Sequence, residues 1–165
     1  MDLDLSGLEG FYELVKLSLA NISLERLDLN PVLLLVQLTD IDLSNNKITE
    51  LMFQRSFKQL KRLNLRKNAL KDPKLGFITE SSIEKLDLSQ NPIERLDLTP
   101  LGSTSLRKLL LPSDVRLVWD PKMPFPDSLP PALSPHRSKI QTYLERIDVF
   151  EQEIVNYLNY IMRIG

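Results

Sequence analysis

Leucines fall on a regular beat along this chain. The phrase Leu-x-x-Leu-x-Leu occurs at Leu14-Leu17-Leu19, Leu60-Leu63-Leu65 and Leu106-Leu109-Leu111. With one Ile substituted it recurs at Leu38-Ile41-Leu43 and Ile83-Leu86-Leu88, so successive starts lie 24, 22, 23 and 23 residues apart. The closing Leu-x-Leu of each phrase has the period of two that turns alternate residues of a strand to one buried face. A unit this short cannot enclose a core alone. Stacked units, each giving one layer of leucines and one strand of a parallel sheet, are therefore expected.

Other positions keep the same beat. Three residues beyond each phrase stand Asn46, Asn68 and Asn91, with Ile22 in the first repeat and Asp114 in the fifth. Two further on come Leu24, Ile48, Leu70 and Ile93, with Arg116 and Pro112 marking decay in the fifth. An Asn that turns the chain out of a strand while buried can satisfy backbone groups that water does not reach. Asn46, Asn68 and Asn91 are thus expected to form a structural ladder. A back phrase also recurs: Leu3-Asp4-Leu5, Leu27-Asp28-Leu29 and Leu96-Asp97-Leu98, with Leu51-Met52-Phe53 in the same slot. Residues 1–11 read as the back half of a repeat. Asp28 and Asp97, about three repeats apart, read as turn or surface residues and not as metal ligands.

The combined signature, Leu-x-x-Leu-x-Leu-x-x-Asn-x-Leu over roughly residues 14–114, resembles the leucine-rich-repeat family, of the intracellular type with 22–24-residue repeats. The resemblance implies an α/β solenoid with a parallel β-sheet on its concave face. It also implies a protein-interaction role, since family members commonly bind through that face.

The residues between the inward leucines would line the face. The third position of the phrase gives Lys16, Asp40, Arg62, Lys85 and Lys108; the fifth gives Ser18, Asp42, Asn64, Asp87 and Leu110; the seventh includes Arg66. With strands about 4.8 Å apart, Asp40 should face Arg62, and Asp42 should lie diagonally near Arg62 and Arg66. Asp40, Asp42, Arg62, Arg66, Lys85, Asp87 and Lys108 are the candidate partner-binding residues. The third repeat adds Lys58, Lys61, Lys67, Lys71 and Lys74, with no acid before Asp72. Two readings stand: an anion or acidic-partner site centred on Arg62 and Arg66, or a solvated basic stripe part-neutralised by Asp40, Asp42 and Asp87. The scanned positions carry no aromatic anchor, which points to a modest, polar interaction.

The beat stops after Leu111. Leu117-Val118-Trp119 is expected to cap the last repeat, closing a solenoid domain over residues 1–119. Six of the eleven prolines then fall within residues 121–135, so 120–135 should be an ordered, extended connector. Ser134-Pro135 suits a helix start, with Ser as N-cap. Over 136–165, Ile140, Tyr143, Ile147, Phe150, Ile154, Tyr157 and Ile161 alternate at spacings of three and four, the seam of an amphipathic helix. That helix either folds back as an extended cap or pairs with another copy or a partner helix.

Composition narrows the function. The formal net charge is −1, which gives no global field for nucleic acid, and stacking aromatics are missing from the basic stripe. There is no cysteine, so no thiol nucleophile, and the single histidine, His136, cannot build a multi-histidine metal cluster; a catalytic triad is not expected on it. No Gly-rich phosphate loop occurs. The chain is expected to be a non-catalytic binding module without cofactor or metal; the alternative is a homo-oligomeric unit driven by the C-terminal helix. The acidic N-terminus lacks the basic start of a signal peptide, and the longest apolar run, 32–36, is too short to span a bilayer. A cytoplasmic location is expected.

Overall fold

The computed structural model describes residues 2–140, 146, 149–154 and 156. Each Leu-x-Leu pair becomes the wall of a three-residue strand. These are β2 (Lys16–Ser18), β4 (Asp40–Asp42), β6 (Arg62–Asn64), β7 (Lys85–Asp87) and β9 (Lys108–Leu110). They form one parallel five-stranded sheet in the order β2-β4-β6-β7-β9. The register is the beat itself, aligning Leu17, Ile41, Leu63, Leu86 and Leu109 in one row. The first four of that row are buried, and the partly buried Leu109 packs against the same core. Each fully buried Leu contributes about 1.5–3 kcal/mol relative to exposure.

The back phrases form a second layer. β1 (Asp2–Leu3), β3 (Arg26–Asp28) and β5 (Glu50–Met52) pair in parallel, aligning Leu3, Leu27 and Leu51. β8 (Arg95–Asp97) and β10 (Arg116–Val118) make a separate parallel pair. The third repeat accounts for the break. Where the others place Leu27, Leu51 and Leu96, it places Pro73, which has no N–H to give to a ladder. Beside β5 the third repeat's own residues 69–75 and Phe77 line a cleft of about 450 Å³, reaching down to Leu65 and Leu70.

Short 3₁₀ turns follow the back strands, at Ser6–Leu8, Asn30–Leu34 and Thr99–Leu101. The aspartate of each Leu-Asp-Leu phrase sets them. Asp4, Asp28 and Asp97 accept the backbone N–H two residues on, at 2.8, 2.9 and 2.9 Å. This is the Asx turn, in which a short carboxylate mimics a backbone carbonyl.

The Asn ladder forms as expected. Asn46 donates to the Leu19 and Leu43 carbonyls at 2.8 and 2.9 Å and accepts the N–H groups of Ile22 and Leu24. Asn68 donates to Leu43 and Leu65, both at 3.0 Å, and accepts Ile48 N–H. Asn91 donates to Leu65 and Leu88 at 2.9 and 3.0 Å and accepts Leu70 N–H. Every Asn therefore serves its own unit and the one before it. The residue preceding each of these positions, Asn21, Asn45, Lys67 or Gln90, has φ between 56° and 63°, where the chain leaves the strand.

The C-terminal third departs from expectation in several respects. Arg116 pairs with Arg95, not with Ile93 as the beat would have it, because the fifth repeat's loop is two residues shorter. Leu117-Val118-Trp119 is consequently that repeat's own back strand and its exit, and not a cap across its end. The Pro-rich segment does the covering instead: Leu129, Leu133 and Ile140 are buried in the common core, and Ala132 N–H bonds the Leu106 carbonyl at 3.1 Å. Phe125 lies edge-on to Trp119, 5.1 Å between centroids, with the Arg137 guanidinium 5.0 Å over its ring.

Ser134 does not cap the helix. Its Oγ turns back to the Leu129 and Pro130 carbonyls, while a 3₁₀ turn over Ser134–His136 leads in, with Pro135 in the first turn. The chain is α-helical at 137–140 and at 149–154. Ile140 is fully buried, whereas Phe150 and Ile154 are 62% and 44% exposed. The seam's start therefore packs on the repeats, and these two later members do not. Tyr143, Ile147, Tyr157 and Ile161 lie outside the described residues.

Candidate functional site

The outward positions of the five-stranded sheet form the candidate surface. In the row Lys16, Asp40, Arg62, Lys85, Lys108, each residue is the register neighbour of the next. The expected Asp40–Arg62 contact forms as a two-pronged ion pair. Arg62 Nε binds Asp40 Oδ1, and Arg62 Nη2 binds Asp40 Oδ2 at 2.9 Å. Thr39 Oγ1 adds a third bond to the carboxylate at 2.7 Å. Partial burial opposes ionisation of Asp40, but the bonds from Arg62 and Thr39 and the charges of Arg62 and Lys16 outweigh it. Its pKa lies below the usual value, and that of Arg62 is raised in turn.

Asp40, Asp42, Arg62 and Lys85 line a shallow groove of about 350 Å³, floored by Leu17, Ile41 and Leu63. Lys85 and Lys108 continue the row beyond the ion pair. Neither has a carboxylate beside it in register, so this end of the face is cationic.

Other candidates are placed differently from expectation. Asp42 makes no ion pair with Arg66; its Oδ1 accepts the Ser44 N–H at 2.9 Å. Asp87 is buried, accepting Ser89 N–H at 3.0 Å and Ser89 Oγ at 2.6 Å. It is not part of an accessible binding surface. Asn64 likewise accepts Arg66 N–H at 3.1 Å. Three of the five fifth-position residues, Asp42, Asn64 and Asp87, thus make Asx turns that bend the chain out of the strand. The signal lay in the sequence as an Asx recurring at repeat spacing, two residues before a polar residue. Arg66 stands outside the groove. Its Nε reaches Gln90 Oε1 at 3.3 Å, and it shares a polar hollow of about 500 Å³ with Asn45, Asn64 and Lys67. Arg62 and Arg66 therefore do not converge on one anion, and Lys74 is paired with Asp72.

Among the described residues no group of three His, Cys, Asp or Glu side chains could hold a metal. His136 titrates below its usual value because burial and the Lys139 charge disfavour its cation. Among the described residues no helix is long and apolar enough to cross a membrane. No protein-family model, curated protein or solved structure matches the chain.

Proposed function

We propose that this chain is a leucine-rich-repeat solenoid of the intracellular type, acting in the cytoplasm as a non-catalytic protein-binding module. The parallel register at repeat spacing and the Asn ladder support the architecture. One observation carries the binding reading: the polar sheet face has an apolar-floored groove at the Asp40–Arg62 pair and a cationic end at Lys85 and Lys108. A rigid sheet with a row of cations suits an acidic protein surface, where charge sets orientation and on-rate more than affinity.

The test is affinity capture with the intact chain beside a Lys85→Glu, Lys108→Glu variant. A partner retained by the first and lost by the second supports the face. Equal capture by both overturns it.

A second reading, self-association through the C-terminal helix, draws on the exposure of Val149, Phe150 and Ile154. Loss of oligomer on Phe150→Asp would support it; an unchanged mass would exclude it.

A further inference from the structure

The two ends of the five-stranded sheet are finished differently. At the β9 end the core is closed by Leu129, Leu133 and Ile140. At the β2 end no described residue covers it. Phe11 occupies the repeat position of Leu35 and Phe57, which are 0% and 1% exposed, yet Phe11 is 58% exposed. Leu8, Leu14 and Leu19 are only partly buried, against full burial of their counterparts Val32, Leu38 and Leu43. Ile22 stands where later units carry Asn. Each Asn exists to serve the unit before it, and on this side the described residues hold no earlier unit, so an exposed Ile continues the apolar end.

The backbone is open at the same place. Val15 C=O accepts Asp40 N–H, and Leu19 N–H donates to Asp42 C=O. Because strand groups alternate in direction, the N–H and C=O of Lys16 and Ser18 then point away from β4, along the sheet's free edge. An apolar layer beside an unpaired strand edge is a template for another strand.

We propose that this edge is a dimer interface, with β2 of two copies pairing antiparallel across a two-fold axis to give one continuous ten-stranded sheet. A second copy is the occupant that fits. A two-fold matches the edge to itself, each copy offering the outward N–H and C=O groups that the other needs. With Ser18 on the axis, Lys16 lies opposite Ala20 and Leu17 opposite Leu19, so apolar meets apolar and no charge on the strand meets its like. Lys16 keeps Asp40 beside it within its own sheet. Head-to-tail stacking is blocked, since the far end is already covered. Assembly closes at two copies. The interface does not use the C-terminal helix, and it borders the groove at Arg62, whose lining includes Lys16, Leu17 and Ser18.

Sedimentation of the full chain across a concentration series up to about 1 mM, the weak end of specific association, tests this. The expected result is a reversible species of twice the 19.0 kDa chain mass. Phe11→Lys with Ile22→Lys, and separately Lys16→Pro, should return it to monomer with an unchanged circular-dichroism spectrum. Phe150→Asp should leave the dimer intact. Hydrogen exchange on the unmodified chain reads the same interface without any variant: Lys16 and Ser18 amides should slow at least tenfold as concentration rises. A wild-type monomer throughout the series overturns the proposal. So does a dimer that survives the edge variants, one lost on Phe150→Asp, or one that leaves the Lys16 and Ser18 amides fast.

Discussion

Asn46 and Ile22 hold the same position in successive repeats, and the carboxamide of Asn46 accepts the backbone N–H of Ile22 at 3.0 Å. The relation runs one way along the chain: each Asn completes its predecessor. Asn68 is the most informative place to break it, because its amide serves two carbonyls and the Ile48 N–H from a buried position. Asn68→Leu strands the Ile48 N–H, while the Leu43 and Leu65 carbonyls keep their bonds from Asn46 and Asn91. The expected loss is about 1–3 kcal/mol, the cost of one unmet buried group. In urea unfolding the midpoint should fall with the slope unchanged. A midpoint within error of wild type would show that the ladder does not hold the units together.

The Asp40–Arg62 pair makes a prediction about acid. The folded-state pKa of Asp40 is depressed below its ordinary 3.8. Its contribution to stability is therefore complete above the unfolded value and is lost as pH falls through the folded value. Carboxyl titration by NMR should place the Asp40 midpoint under 3.8 in the wild type and move it upward in Arg62→Met. An unmoved midpoint would mean that the guanidinium does not set the carboxylate's charge.

Gly102 lies beneath the indole of Trp119. A Cβ there would sit 2.4 Å from Trp119 Cη2, and the ring is buried on its other sides. Gly102→Ala should cost about 1–3 kcal/mol by overpacking, with a shift in tryptophan fluorescence. Trp119→Leu in the same chain should recover part of the loss by removing both the clash and the indole Nε1, which has no hydrogen-bond partner among the described residues. Additive destabilisation would show that the two residues do not share the space.

Pro73 interrupts the back ladder where other repeats place leucine. Pro73→Leu restores the N–H and the repeat's own preference, and a gain of about 0.5–2 kcal/mol is expected, as for other consensus replacements. Slower amide exchange in β5 should accompany it. Destabilisation would show that the break is built into the fold and not a local defect in it.

The sequence made the front sheet legible because the inward positions of each unit are filled almost entirely by Leu and Ile, so spacing alone gave both strand and register. The ladder was legible for a similar reason: a buried Asn at a fixed offset has few other uses. The fifth repeat was misplaced because a shorter loop shifts the register without disturbing the leucines before it. The Pro-rich stretch looked like a connector because prolines exclude regular structure; they do not exclude burial, and Leu129 and Leu133 between them reach the core. On the sheet face, charge pattern found the Asp40–Arg62 pair but left out the turn-forming bonds of Asp42 and Asp87. Their carboxylates are taken by the backbone two residues on, a local competition that a list of charges across strands leaves out.

The one-way reach of the Asn side chains gives the molecule a direction in time as well as in space. A ribosome releases the chain from its N-terminal end, and the N–H groups of Ile48 and Leu70 have no partner until the next unit's Asn has emerged. Folding during synthesis must then trail the exit tunnel by one repeat, each new turn locking the one already outside.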